Sequence, residues 1–164
     1  MRFDLALARA GLCLAVLVGA GCAEIGLAPH EPDREAVRIA SDAREPSRVT
    51  VRHVLIAFDG AKLVGVTRSL EKAERVATNV FEAAQSGRPF DELVRLYSDD
   101  GGGNGEYTLS NWGVPQVDPD EMERGRMVRD FHRAAFSMDV GEIRLVPYDE
   151  QGSPLGFHII QRVR

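Results

Sequence analysis

Cysteine is almost missing: the 164 residues hold only two, Cys13 and Cys22, both at the start of the chain. Disulfides, cysteine metal sites and a thiol nucleophile are thereby excluded from everything after Cys22. Positive charge is also in short supply. Lys and Arg number 20 against 25 Asp and Glu, and the isoelectric point is about 5.4. That balance gives no long-range pull toward nucleic acid or toward an anionic membrane surface. Neither His30 nor His132 has a partner at metal-ligand spacing, and GGNGE is a single copy of a pattern that binds calcium only as a repeat, so no metal site is expected. There is no internal repeat. What remains, 44% apolar and 27% charged residues, describes one soluble globular domain with appendages.

The one long apolar run is at the start. Arg2 and Arg9 precede AGLCLAVLVGAG, uncharged from Ala10 to Gly21 and too short to span a bilayer comfortably, which reads as a signal-peptide core. The run ends in GAGC. This resembles a bacterial lipobox, with Ala20 and Gly21 in place and Gly19 where Leu usually stands, and it implies lipidation of Cys22. An ordinary secretory signal cleaved nearby is the alternative. The expected layout is a signal peptide over 1–21, a lipid-anchored flexible tether over 22–47 and a folded domain over 48–164. Losing residues 1–21 leaves 18 basic against 24 acidic residues, a net charge of −6. The tether mixes Pro29, Pro32 and Pro46 with dense alternating charge and lacks the apolar surface to fold alone, except for one loose helical turn after Asp33. As a coil it would reach roughly 25 to 30 Å.

From Val49, VTVRHVLIAF is β-branched and apolar on both faces, as a central strand should be. Leu70, Ala73, Ala77, Val80, Phe81 and Ala84 then recur at helical spacing, with Ser69 as the cap and Gly87 as the stop. Pro89 opens a second helix carrying Phe90, Leu93, Val94 and Tyr97. SDDGGGNGEY is a loop, and a short strand from about Tyr107 to Trp112 follows it. Residues 113–125 form a connection with one turn at DPDEMERG. Met127, Phe131, Ala134 and Ala135 mark a short helix, with His132 on its wet face. A terminal hairpin, GEIRLVPY and FHIIQRVR, ends the chain. The order βααβαββ predicts an α+β fold, a small antiparallel sheet of about four strands surrounded by helices.

Five phrases in this order, VRHVLIAF, FDELVRLYSDD, GGGNGEYTLSNWG, RMVRDFHRAAFSMDVGEI and LGFHIIQRVR, resemble the parvulin family of peptidyl-prolyl isomerases over residues 49–164. The resemblance implies a cofactor-free isomerase acting on proline-containing polypeptides, here those exported to the cell envelope. It implies His53 and His158 as a pair beneath the reactive proline, Asp100 beside the rotating bond, and Met127 and Phe131 lining the proline pocket. Trp112 joins them as a substrate-binding candidate, although its residue type suits packing equally well. Asp100 before glycine is also turn chemistry, and two histidines on central strands also suit a hydrogen-bonded core pair.

Three departures from the family pattern stand out. Gly113 or Val114 occupies the place of an aromatic pocket wall, the connection from Trp112 to Met127 is longer than the family's usual short link, and Val128 takes the place of a polar residue, often Gln. A parvulin fold that binds polypeptide without catalysis is therefore the second expectation, and a purely structural lipoprotein the third. The loop after strand one offers only Lys62 and Arg68, too few cations for a phosphate-directed site. Ala23 after Cys22 favours the outer membrane over the inner by family convention.

Overall fold

In the computed structural model, which describes residues 45–63, 65–101 and 105–164, the strand β1 (Arg48–Ile56) is the element around which the rest is built. The leader, Cys22, His30, the tether up to residue 44 and loop residues 102–104 lie outside the described residues. Both faces of β1 are apolar because both are covered: Val54 and Ile56 enter one cluster, Val49 and Val51 the other. Such a strand belongs inside a sheet. The strands β2 (Glu106–Ser110), β3 (Met122–Glu123), β4 (Ile143–Val146) and β5 (Phe157–Arg162) complete the order β3-β2-β1-β5-β4. β1 runs antiparallel to β2, from Arg48↔Ser110 to Arg52↔Glu106, and to β5, from Val51↔Arg162 to Ile56↔Phe157. β4 and β5 are the expected hairpin.

Two helices cover one face of the sheet and one covers the other. Helix α1 (Leu70–Gln85) presents Ala73, Ala77, Val80 and Ala84, and α2 (Phe90–Tyr97) presents Phe90, Leu93 and Val94, to Val54, Ile56, Phe157 and Ile159. Small residues on the α1 stripe let its backbone lie close to the strands. The Ser69 hydroxyl accepts from the Lys72 N–H at 3.3 Å, the expected cap. Helix α3 (Arg129–Ser137) lays Phe131, Ala134, Ala135 and Phe136 over Val49, Val51, Leu109 and Ile160. Its C-terminal end is fixed by the buried Arg162, whose guanidinium donates to the Met138 carbonyl at 2.8 Å.

The α+β expectation holds, with two corrections. The sheet has five strands and is mixed, because Met122–Glu123 pairs parallel with Leu109 and Ser110 of β2. This short strand exists because Glu121, only 2% exposed, organises the long connection. Its carboxylate accepts from Arg48 Nε and from the Val117 N–H, each at 2.8 Å. The second correction concerns Met127, which is not on the last helix. The Met127 N–H donates to the Arg124 carbonyl and ends a 3-10 turn (Arg124–Arg126), and Val128 is extended, so α3 starts at Arg129.

The entry and exit of the sheet lie side by side. The Thr50 N–H donates to the Arg164 carbonyl at 2.8 Å, and Val163 N–H donates to Thr50 at 2.7 Å. Residues 45–47 before β1 are pinned as well. The Asn111 N–H donates to the Ser47 carbonyl at 2.9 Å, Asn111 Nδ2 to the Pro46 carbonyl at 3.1 Å, and Glu45 pairs with Arg124.

Candidate active site

The α3 face of the sheet carries a polar island. His53 on β1 and His158 on β5 are both buried, at 4% and 3% exposure, with ring centroids 5.4 Å apart. Strand register explains the spacing. His53 faces Ile160 and His158 faces Leu55, so the imidazoles are diagonal neighbours. They do not hydrogen-bond to each other, contrary to the core-pair expectation, and none of their four ring nitrogens has a hydrogen-bond partner among the described residues. The fully buried Phe131 meets both edge-on, with centroids 5.2 Å from His53 and 5.4 Å from His158. Phe131 is thus a floor under the histidines. Its truncation would cost about 3–5 kcal/mol of packing.

The carboxylate reaches this island through the segment after α2. Beyond Arg52, the β2 side of β1 is taken over by that segment: Leu55 N–H donates to Ser98 Oγ at 3.1 Å, Asp99 N–H to the Leu55 carbonyl at 2.8 Å, and Ala57 N–H to Asp99 Oδ2 at 2.8 Å. Arg68 grips the Asp99 carboxylate with both arms and also donates to the Ala57 carbonyl at 3.2 Å. Asp99 is therefore structural, and Asp100 is what it positions. The Gly-rich loop returns against the same edge. His53 N–H donates to the Gly105 carbonyl at 2.8 Å, and Gly105 has φ +69°. A Cβ there would lie 2.7 Å from the His53 carbonyl oxygen, so only glycine closes the loop this tightly.

Asp100 Oδ2 ends 3.7 Å from His53 Nε2, beyond hydrogen-bonding range, and accepts from the Tyr107 hydroxyl at 2.6 Å. Tyr107 escaped the sequence reading. The signal was its alternation with Leu109, which puts it on the α3 face beside Val51; its ring lies 5.5 Å from His53. Met127, half-buried, packs against the cluster around Phe131, as do Tyr107 and Val128.

Trp112 is placed elsewhere. Its half-exposed indole meets His132 edge-on at 6.0 Å and the Arg124 guanidinium at 5.7 Å, and it covers Gly125, where an added Cβ would strike the ring. His132 is accordingly half-buried rather than on a wet face. Gly113, expected near a pocket wall, sits in an exposed turn with φ +70°.

Burial sets the electrostatics of the pair. Desolvation pushes His53 down to about 4, partly offset by Asp100, and pushes His158 down to about 3, helped by His53. Both imidazoles are neutral at neutral pH. Burial, with Asp100 close by, raises the Tyr107 phenol well above its ordinary value, so it remains a donor. No cluster of three or more potential metal ligands occurs among the described residues. The site therefore presents a carboxylate, a phenol and two neutral imidazoles beside apolar surface from Phe131 and Met127. Such a set can select a molecular shape and its dipoles without moving protons.

Comparison with known proteins identifies the domain type. A family model described as a PPIC-type PPIASE domain matches residues 35–163. The Foldase protein PrsA of Geobacillus kaustophilus (strain HTA426) is 28% identical over 120 residues, covering 73% of this chain and 38% of that protein. The chain thus aligns with well under half of this relative's length. Among solved structures, the peptidyl-prolyl isomerase ESS1 from Candida albicans has a TM-score of 0.57 at 22% identity, covering 83% of this chain and 79% of that one. The shared architecture and a family match spanning most of the sequence lead to one conclusion: the chain belongs to the PPIC-type, or parvulin, family of peptidyl-prolyl isomerase domains.

Proposed function

We propose that the domain catalyses cis–trans isomerisation of X–Pro bonds in polypeptides exported to the cell envelope, where a lipid on Cys22 holds it, favouring the outer membrane. The observation that carries the catalytic reading is the convergence of Asp100 and Tyr107 with the neutral His53/His158 pair over Phe131. The reaction breaks no bond. It crosses a barrier of about 18–20 kcal/mol set by amide resonance, and a site need only prefer the twisted amide to the planar one. Twisting makes the nitrogen pyramidal and reduces the carbonyl dipole, so an apolar surface for the ring and fixed dipoles beside it favour that state. The neutral imidazoles serve as such dipoles, each with one donor and one acceptor nitrogen. Asp100 faces the rotating bond, and Met127 with Phe131 receives the ring. The foldase among the relatives supports polypeptide as the substrate class.

Envelope location rests on the leader and on GAGC at residues 19–22. Arg68 is committed to Asp99 and Ala57, which supports the absence of a phosphate-directed subsite. A proline-peptide isomerisation assay on wild type and Asp100→Ala, with folding checked by circular dichroism, tests the proposal. Acceleration by wild type, reduced in the variant, is the expected result. A wild type without rate that still binds unfolded polypeptide would replace catalysis by simple binding.

A further inference from the structure

The phenol of Tyr107 is more than an apolar site requires, since a Leu or Phe at this position would cover the same part of the sheet. Its hydroxyl is given to Asp100 Oδ2 at 2.6 Å, at the short end for a donor meeting a carboxylate. Among the described residues the Asp100 backbone is held through Ser98 and Asp99, and its N–H makes a long 3.3 Å bond to Ser98 Oγ. The orientation of its carboxylate therefore depends on what holds the side chain. Among the described residues two groups compete for Oδ2: the phenol, which has it, and His53 Nε2, which is 3.7 Å away. Released from the phenol, Oδ2 needs to move only roughly 0.8 Å to accept a hydrogen bond from the imidazole.

We infer that Tyr107 is a positioning residue for Asp100: its hydroxyl keeps the carboxylate turned away from His53 and toward the bound peptide. The inference rests on the isomerase reading of the site. The phenol acts through Asp100 and need not touch substrate. Among the described residues the groups facing His53 are Asp100, Tyr107, His158 and Phe131, so a change in the Asp100 position registers directly in the His53 titration.

Tyr107→Phe removes the hydroxyl and keeps the ring. Loss of one hydrogen bond to a charged group is expected to lower kcat roughly tenfold or more, with KM little changed. In an Asp100→Asn background the same substitution should cost no further activity, because the group it orients is already altered. In the single variant the His53 imidazole, followed by NMR, should titrate higher than in wild type as the carboxylate closes on it. Wild-type kcat in Tyr107→Phe, losses that multiply in the double variant, or an unmoved His53 titration would each overturn the inference. A wild type that itself shows no rate would instead refute the isomerase reading, and the NMR titration would then decide the positioning role alone.

Discussion

Acidification should unfold this domain through its two buried histidines. In the unfolded chain each has an ordinary value near 6.5, whereas folding lowers His53 to about 4 and His158 to about 3. A depressed histidine binds more protons unfolded than folded between those values, so stability is fully present above about 6.5 and is lost as pH falls toward the folded values. Between pH 8 and pH 5 each neutral imidazole should cost about 2 kcal/mol, or about 4 kcal/mol for the pair. Marginal domain stabilities make that a large fraction of the whole. Glu121 and Glu142, both lowered by hydrogen bonds, contribute losses only further into acid, so the window above pH 5 belongs to histidine. His132, half-exposed, adds a smaller amount. Urea denaturation at a series of pH values measures the effect, and the midpoint should fall by roughly 2 M from pH 8 to pH 5. Replacing His158 with Asn should remove about half of this dependence while lowering stability at pH 8. A midpoint flat across the window, or a slope unchanged in the variant, would refute the reasoning that the pair is buried uncharged.

Gly105→Ala should destabilise the domain by about 2 kcal/mol or more, since it combines left-handed backbone with contact on the His53 carbonyl; thermal melts measure it. Met127→Ala should lower kcat/KM roughly ten- to 100-fold while leaving more stability than Phe131→Ala, because Met127 is only half-buried. Peptides with phosphorylated Ser or Thr before proline should be turned over less than tenfold better than unmodified ones in the same assay. Cys22→Ser should move the protein from the membrane to the soluble fraction, read by fractionation and by mass of the mature chain.

Legibility followed the range of the interactions. β1 could be read as central from Val49, Val51, Val54 and Ile56 because covering both faces leaves a continuous apolar pattern. Ser69, Gly87 and Pro89 marked helix ends because caps and stops are local. Met127 was misplaced because it stands one turn before Phe131, and spacing alone extends a helix that the extended backbone at Val128 forbids. β3 left no pattern of its own: two residues pair with β2 only because Glu121 is buried against Arg48, 73 positions away. His132 was read as solvated since nothing nearby in sequence announces that Trp112 would cover it. The Tyr107–Asp100 bond was hidden for a related reason. It depends on how the loop returns at Gly105, and two polar residues flanking glycines read equally well as turn chemistry.

The adjacency of Thr50 and Arg164 bears on how this unit can be combined with others. The first strand begins and the last strand ends at the same end of the sheet, whereas the segment that carries Asp100 meets β1 toward its other end, at Leu55 and just beyond it at Ala57. Grafted between two neighbouring residues of a host loop, the unit would enter and leave through a single narrow stalk. Neither junction would cross the region around His53 and His158. The same geometry lets the fold serve as a terminal module on a long arm or as an insert within a larger chain, with no change to the candidate site residues.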